Sequence, residues 1–293
     1  MQAHNDSGPQ FPRLFLSIGA MKAGTTWLSQ VLRRHPQVHV SPEKEIHFLY
    51  HWYVDRNFLS MEHRPMRAAQ VERRYQNATN PKVKATVEDW LQRYRTDEDG
   101  WDWYRSLLTP PRPNAYPSDF SNLSCHISAE DWQDVARHVE VLKVLYVLRN
   151  PYERLWSHVR FHLGLEGRTD EIGTWDEAEF LRFVQVDHIW KNNNYAANIA
   201  ALETGLGKDL PLVIFYDDVE NDKYGTLARI AQYLGIRNIW TPGSLEAVVE
   251  KRINVSPEVK RPPYFYDVLR PFVTEEIERL EALGYAVPDA WRR

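Results

Sequence analysis

A short apolar segment, residues 14–18, leads directly into a turn that carries two glycines. The apolar run predicts a buried strand that ends at Gly19, and the residues after Gly24 predict a helix that Thr25 or Thr26 can cap. A strand, a glycine turn and a helix in this order constrain the fold strongly, because the unit directs backbone N–H groups toward the mouth of the turn.

A second strand-to-helix unit follows in the middle of the chain. Residues 141–148 form a β-branched and leucine-rich run, which is typical of a parallel strand covered on both faces. After it, Asn150 has the position of an N-cap, Pro151 that of a first-turn residue and Glu153 that of the acid of a capping box. A helix is therefore predicted to begin here and to continue to residue 163.

Strands and helices alternate in the later part of the chain as well. Residues 210–216 predict a third strand, with helices over 195–203 and 224–234 on either side of it. Near the end, an amphipathic pattern predicts a helix that Pro271 starts or kinks and that Gly284 closes.

This alternation predicts an α/β fold with a central parallel sheet, a P-loop-like nucleotide site and helices on both faces. We expect a single domain over residues 11–293, after a polar lead over 1–10. Residues 110–117 predict a proline-rich loop. The aromatic stretch 48–104 has no clear period, and core packing explains it better than a stacking wall for a substrate.

The composition of the chain limits the classes of ligand and the cellular locations that we predict. The formal net charge of −4 argues against nucleic acid as a general partner, which needs a basic surface. Cys125 is the only cysteine, which excludes an intrachain disulfide and a thiolate metal cluster and favours a reducing compartment, the cytoplasm. No apolar run approaches the ~20 residues of a membrane span, and no histidine has metal-ligand spacing, so we predict neither a span nor a metal.

The glycine turn resembles a nucleotide-triphosphate loop but differs from it in one residue. In the ATP and GTP version, a lysine directly follows the second glycine, and a serine or threonine then binds Mg²⁺. Here Thr25 holds the lysine position, while Lys22 lies inside the loop. The segment therefore predicts a phosphate site of another kind.

The segment from Gly19 to Trp27, with Lys22 inside it and Thr25-Thr26 after the second glycine, resembles the 5′-phosphosulfate loop of sulfotransferases. These enzymes use 3′-phosphoadenosine 5′-phosphosulfate (PAPS) as the sulfuryl donor. The resemblance implies a set of donor-binding residues in the loop, with Lys22 also catalytic: Lys22, Ala23, Gly24, Thr25, Thr26 and Trp27.

The start of the second helix extends this resemblance. Arg149-Asn150-Pro151, followed by Ser157, is similar to the 3′-phosphate motif of the same family. A guanidinium at the strand end offers a planar fork to a phosphate, and Ser157 faces the polar side of the helix. Both are therefore predicted to bind the 3′-phosphate of the donor.

The segment Lys44-Glu45-Ile46-His47 is similar to an element of the glycosaminoglycan and bacterial branch of the family, more than to the cytosolic small-molecule branch. In that branch the glutamate is the base for the acceptor. The resemblance implies that Glu45 takes the acceptor proton, with Lys44 and His47 placing or stabilising the reacting groups. His47 is the alternative base.

Two weaker matches complete the predicted site. Asp119 and Ser121 stand where relatives line the acceptor cleft, although the family has glutamate at the first position. Lys251 and Arg252 fall where the family places a basic loop over the nucleotide, although the usual glycine is missing.

Together, the resemblance implies transfer of a sulfuryl group from PAPS to a hydroxyl or amine, releasing adenosine 3′,5′-bisphosphate without a metal. The acceptor is a small molecule, a carbohydrate or a lipid. Two alternatives stay open: a nucleotide-dependent kinase on a related loop, and a catalytically silent nucleotide-binding protein.

Overall fold

A computed structural model describes residues 8–109, 112, 114–251 and 259–292. Its centre is a sheet of five parallel strands in the spatial order β2-β3-β1-β4-β5. The strands are β1 Leu14–Ser17, β2 Val38–Val40, β3 Tyr116–Asp119, β4 Leu142–Leu148 and β5 Pro211–Phe215.

Helices surround this sheet, and short 3₁₀ segments lie at Asn122–His126, Thr169–Gly173, Lys191–Asn193 and Asp289–Trp291. Among the described residues, none of the helices is long and apolar enough to cross a membrane. In chain order they are α1 Thr25–Leu32, α2 Phe48–Tyr53, α3 Arg64–Tyr75, α4 Pro81–Tyr94, α5 Trp101–Leu108, α6 Ala129–Arg137, α7 Pro151–Glu166, α8 Glu177–Val184, α9 Asp187–Trp190, α10 Tyr195–Leu206, α11 Tyr216–Asn221, α12 Lys223–Leu234, α13 Glu246–Val249 and α14 Phe265–Ala282.

The predicted α/β class and parallel sheet are confirmed. Strand β1 lies at the centre between β3 and β4, and all four of its residues are buried. A strand that is covered on both faces is apolar along its whole length, which is why β1 and β4 could be predicted from apolar runs. Strand β5 also lies where the sequence predicted it.

Strands β2 and β3 were not predicted. Strand β2 has only three residues, and β3 begins inside the stretch that the sequence assigned to a proline-rich loop. Pro117 lies opposite His39 in the pairing of these two strands. Tertiary pairing with neighbouring strands outweighs the local preference of proline for loops here.

The aromatic stretch 48–104 folds into the four helices α2 to α5 and contributes to the core. Phe48 stacks on Tyr104 with ring centroids 4.4 Å apart, and Trp90 stacks on Tyr94 at 4.7 Å. These rings are buried, as expected for core packing.

The helix starts match the sequence in part. Asn150 caps α7 as predicted, because its Oδ1 accepts a hydrogen bond from the Tyr152 N–H at 3.0 Å. A capping box would also need a hydrogen bond from the backbone N–H of Asn150 to the Glu153 carboxylate, and this bond is absent among the described residues. The Glu153 carboxylate pairs with Arg261 instead. The predicted threonine cap of α1 was wrong: Gly24 is the N-cap residue, in a left-handed conformation, and no side chain in the described part of the chain caps this helix.

Candidate active site

The carboxyl ends of the parallel strands meet at one edge of the sheet, and a cleft of about 1170 Å³ opens there. The glycine loop follows β1, the Lys44-Glu45 segment follows β2, and Arg149 follows β4. This is the edge at which open α/β sheets place their ligands. Ten predicted site residues line the cleft: Lys22, Gly24, Thr25, Thr26, Trp27, Lys44, Glu45, Arg149, Ser157 and Lys251.

The glycine loop is shaped by two left-handed residues, Lys22 with φ 69° and Gly24 with φ 78°. A Cβ at Gly24 would lie 2.4 Å from Cε2 of Tyr216, so only glycine leaves room for this ring. The loop then enters α1, whose first N–H groups have no partner within the helix. Its geometry therefore suits an anion at the N-terminal end of α1.

Lys22 points into the cleft from inside the loop. Its ammonium lies 4.4 Å from the centroid of the Phe161 ring. Burial, followed by the nearby guanidinium groups of Arg149 and Arg160, lowers the pKa of Lys22 to about 8. Part of the cationic charge of this lysine is therefore lost just above neutral pH.

Glu45 is surrounded by donors. Its Oε1 lies 2.5 Å from Lys44 Nζ and accepts from Asn122 Nδ2 at 3.3 Å. Its Oε2 lies 3.5 Å from Nε2 of His47. Burial opposes ionisation of this carboxyl, but Lys44 and His47 outweigh it and hold the pKa of Glu45 well below its usual range. Glu45 is therefore a carboxylate at neutral pH.

Lys44 contacts both the predicted base, Glu45, and the start of helix α1. The same ammonium that contacts Glu45 also donates to Thr25 Oγ1 at 3.2 Å. Thr25 belongs to the first turn of α1, at the end of the glycine loop. An anion bound in the loop would thus lie close to the cation that pairs with Glu45.

Arg149 is held at the end of β4 by two contacts. Its Nη1 donates to the carbonyl oxygen of Lys22 at 2.9 Å, and its own carbonyl accepts from the Tyr195 hydroxyl at 2.8 Å. Its guanidinium also lies 5.1 Å from the ring centroid of Tyr216. Ser157 lines the cleft from α7, so the two predicted 3′-phosphate residues share one surface.

Trp27 also lines the cleft and contacts the last residue of α13. The Trp27 indole N–H donates to the Val249 carbonyl at 2.8 Å, which fixes the plane of the ring. Lys251 lines the cleft beside it. Arg252, the other basic residue predicted here, lies outside the described residues.

Four predicted site residues do not line the cleft. Ala23 packs in the core beneath the loop, and His47 is buried behind Glu45. Asp119 and Ser121, predicted as acceptor contacts, are each only 1% exposed. They bond to protein groups instead: Ser121 donates to Asp119 Oδ1 at 2.6 Å. The reason is topological, because β3 is an inner strand beside β1, and its end is covered.

Sequence reasoning missed several residues that line the cleft, among them Asn122, Phe161 and Tyr216. Tyr216 directly follows β5, and Asn122 comes three residues after β3, so both follow strand ends. The strand-end rule would have indicated Tyr216, but Asn122 follows a strand that the sequence did not reveal. Phe161 lies one helical turn beyond Ser157 on the same face of α7.

The described residues contain no group of three or more His, Cys, Asp or Glu side chains that could hold a metal ion. The polar side chains of the cleft carry ammonium, guanidinium, hydroxyl, amide and carboxylate groups. Such a set suits an anionic ligand next to a proton acceptor.

Solved sulfotransferase structures share this fold. The sulfotransferase from Alicyclobacillus acidocaldarius aligns over 98% of this chain and 100% of its own, with 20% identity and a TM-score of 0.61. The sulfotransferase domain from the curacin biosynthetic pathway covers 96% of this chain and 100% of its own, with 17% identity and a TM-score of 0.55. The sulfotransferase domain of the Synechococcus PCC 7002 olefin synthase covers 98% of this chain and 99% of its own, with 19% identity and a TM-score of 0.50.

At these identities, the structural matches establish the fold alone. A sequence search of curated proteins found no match. Residues 15–242, however, match the model of the Sulfotransferase family, and this span includes both the glycine loop and the Arg149 motif. It covers well over half of the chain, so the protein belongs to the sulfotransferase family.

Proposed function

We propose that the protein transfers a sulfuryl group from PAPS to a hydroxyl or amine acceptor. The observation that carries this proposal is the arrangement of Lys22, Glu45 and Arg149 around one cleft. A cation inside the phosphate loop, a proton acceptor beside it and a guanidinium for a second phosphate are the groups that this reaction needs. Family membership supports the same donor.

The donor would lie along the carboxyl edge of the sheet. The N–H groups and hydroxyls of Thr25 and Thr26 hold its 5′-phosphate at the positive end of α1. Arg149 and Ser157 bind the 3′-phosphate, and Trp27 offers a flat surface for the adenine. Lys251 and Arg252 add positive charge over the nucleotide.

The transfer is a displacement at sulfur. The acceptor atom forms a bond to sulfur while the bond from sulfur to the 5′-phosphate oxygen breaks, and the acceptor proton moves to Glu45. Lys22 stabilises the charge that develops on the departing oxygen. Adenosine 3′,5′-bisphosphate and the sulfated acceptor are the products.

Lys44 links donor binding to the base. In the free protein it pairs with Glu45 and holds the pKa of that carboxyl low, which makes Glu45 a weak base. The phosphosulfate group near Thr25 would compete for the same ammonium. We expect Glu45 to become more basic when the donor is bound, with His47 as the alternative base.

The acceptor class follows the predicted branch of the family. The Lys44-Glu45-x-His47 element favours an alcohol, as in a carbohydrate, over an amine, and a lipid or small molecule also fits. Fold and donor chemistry do not specify the recipient. A cytoplasmic location stays a prediction from the single cysteine.

The decisive experiment combines radiolabelled PAPS with a cell extract and the purified protein. A labelled product that appears only with the protein supports sulfuryl transfer and identifies the acceptor. Turnover of ATP that requires Mg²⁺, without transfer from PAPS, would instead favour the kinase alternative. Binding of adenosine 3′,5′-bisphosphate without any transfer would favour the silent binding protein.

Replacing Glu45 tests the assignment of the base. We expect Glu45→Gln to lower kcat by about 10²–10⁴-fold, because a general base contributes this much. The Kd of adenosine 3′,5′-bisphosphate should not rise, because Glu45 is not one of the predicted nucleotide contacts and its loss leaves the Lys44 ammonium free for the 5′-phosphate. Glu130→Gln, at an exposed carboxylate on α6 outside the cleft, is the control. Half or more of the wild-type activity in Glu45→Gln would exclude this base.

A further inference from the structure

We propose that Tyr104, Asp119 and Ser121 form a buried positioning network that fixes His47 and, through it, the carboxylate of Glu45. None of the three lines the cleft. The inference rests on the proposed function, because it assigns these residues a part in orienting the proposed base.

The network is a continuous chain of short hydrogen bonds. The Tyr104 hydroxyl donates to Asp119 Oδ2 at 2.8 Å, and the Ser121 hydroxyl donates to Asp119 Oδ1 at 2.6 Å. Ser121 Oγ in turn accepts from the backbone N–H of His47 at 2.7 Å. Both carboxylate oxygens of Asp119 are therefore bonded to protein hydroxyls.

The backbone of His47 explains why it needs such a partner. Its φ is 61°, a left-handed conformation that is unfavourable for a residue with a Cβ. His47 is also the N-cap residue of α2, and none of the side chains that the structure describes caps this helix. The bond from its N–H to Ser121 stabilises this conformation across 74 positions of the chain.

The fixed backbone aims the imidazole at Glu45. Nε2 of His47 lies 3.5 Å from Glu45 Oε2, while Nδ1 is buried without a hydrogen-bond partner among the described residues. Phe58 packs edge-on against the ring, with centroids 5.3 Å apart. Among the described residues, the charged partner within reach of the ring nitrogens is therefore Glu45, the proposed base.

The burial of the three network residues argues for a positioning role and against direct contact with the acceptor. Tyr104, Asp119 and Ser121 are each at most 1% exposed. Burial raises the pKa of Asp119, and the two hydroxyl donors act against this shift. A buried carboxyl with both oxygens occupied has no group left for a substrate, and its hydrogen-bonded connection toward the cleft runs through Ser121 and His47.

The first test replaces the hydroxyl at the centre of the network. We expect Ser121→Ala to lower kcat by about 10–100-fold, because it frees His47 from its support and displaces Glu45. The Kd of adenosine 3′,5′-bisphosphate should not change. Ser124→Ala is the matched control, because Ser124 is also 1% exposed and its hydroxyl has no partner among the described residues.

A second variant covers the case in which Ser121→Ala does not fold. Tyr104→Phe keeps the stacked ring and removes only the hydroxyl that donates to Asp119. We expect it to lower kcat by about threefold to tenfold with an unchanged nucleotide Kd. An unchanged kcat in the folded Tyr104→Phe protein would overturn the proposal.

A double variant distinguishes an effect through Glu45 from a general effect. If the network acts through this base, Ser121→Ala should cause little further loss of kcat when Glu45→Gln is already present. The same fold loss in both backgrounds would overturn the proposal. A loss of kcat in Ser121→Ala that is no larger than the loss in Ser124→Ala would also overturn the proposal.

A measurement without any acceptor keeps the inference separate from the proposed function. The ¹³C chemical shift of the Glu45 carboxyl at pH 7, assigned by its loss in Glu45→Gln, should change in Ser121→Ala and stay unchanged in Ser124→Ala, because it reports the groups that contact the carboxylate. An unchanged chemical shift in Ser121→Ala would overturn the network. Absence of transfer by the wild-type protein would overturn the proposed function and leave this chemical shift to decide the network.

Discussion

Lys22 shows most clearly how one residue carries the proposed chemistry. Its position inside the glycine loop distinguishes this site from an ATP or GTP loop. Its surroundings then adjust its charge, because burial and the guanidinium of Arg149 make the ammonium easier to deprotonate. The nucleotide affinity should therefore depend on pH in a range where most lysines stay charged.

We expect the Kd of adenosine 3′,5′-bisphosphate to rise as pH increases from 7 to 9. The pKa of Lys22 in the free protein is about 8, so below pH 8 the ammonium attracts the anion, and above it this attraction is lost. Since the phosphate groups, with a second pKa of about 6, are already mostly dianionic at pH 7, Lys22→Met should bind weakly with a nearly flat pH profile in calorimetry. Lys208→Met, at an exposed lysine that bonds to Leu283, should keep the wild-type profile. An unchanged profile in Lys22→Met would contradict the assignment.

At the scale of elements, the start of α7 positions two functional residues. Arg149 directly precedes the cap residue Asn150, and Ser157 lies two turns into the helix. Asn150 also donates from Nδ2 to the Ala290 carbonyl at 3.0 Å, which connects the helix start to the C-terminal segment. A single side chain thus stabilises the helix and its contact with the end of the chain.

We expect Asn150→Ala to lower the free energy of unfolding by about 1–2 kcal/mol, since it removes the N-cap of α7 and leaves buried polar groups unpaired. Urea denaturation measures this change. Asn150→Asp keeps an oxygen for the Tyr152 N–H but loses the donor to Ala290, so its loss should be smaller. Equal losses in both variants would show that the cap contributes nothing.

How well an element could be predicted depended on whether its signal is local. The strand, loop and helix around Lys22 and those around Arg149 follow from apolar runs, glycines and a proline that lie within a few residues of one another. Strands β2 and β3 have no such signal, because they are short and one contains Pro117. Their pairing with β1 and with each other makes them strands.

For the whole molecule, Glu276 connects the C-terminal helix to the core. It is only 8% exposed on α14, and its Oε1 accepts from the Ala196 N–H at 2.6 Å, in the first turn of α10. Burial is the main cause that raises the pKa of Glu276 to about 7. Tyr195, the first residue of α10, donates a hydrogen bond from its hydroxyl to the Arg149 carbonyl. Helix α14 therefore supports the predicted donor site indirectly, through α10.

Glu276 should make the stability of the fold depend on pH. The native state keeps a proton on this carboxyl up to about pH 7, whereas the unfolded chain releases it near pH 4.3. The contribution of Glu276 to the free energy of unfolding therefore falls as pH rises between these values. We expect Glu276→Gln to exceed the wild type by about 1 kcal/mol at pH 5 and by about 3 kcal/mol at pH 7.5. Urea denaturation at both pH values tests this, with Glu278→Gln, at an exposed carboxylate of the same helix, as the control. A difference that is the same at both pH values would contradict the prediction.

The sequence alone determined the parts of this protein whose residues lie close together along the chain: the alternation of strands and helices, the loop around Lys22 and the cap of α7. Only the tertiary structure decided which distant residues meet. Ser121 reaches His47 across 74 positions, and Asn122 reaches Glu45 across 77. Both contacts depend on the order of strands in the sheet, which places the end of β3 between those of β2 and β1. Periodicity and local motifs carry no information about that order, because pairing between strands arises from packing of the whole chain.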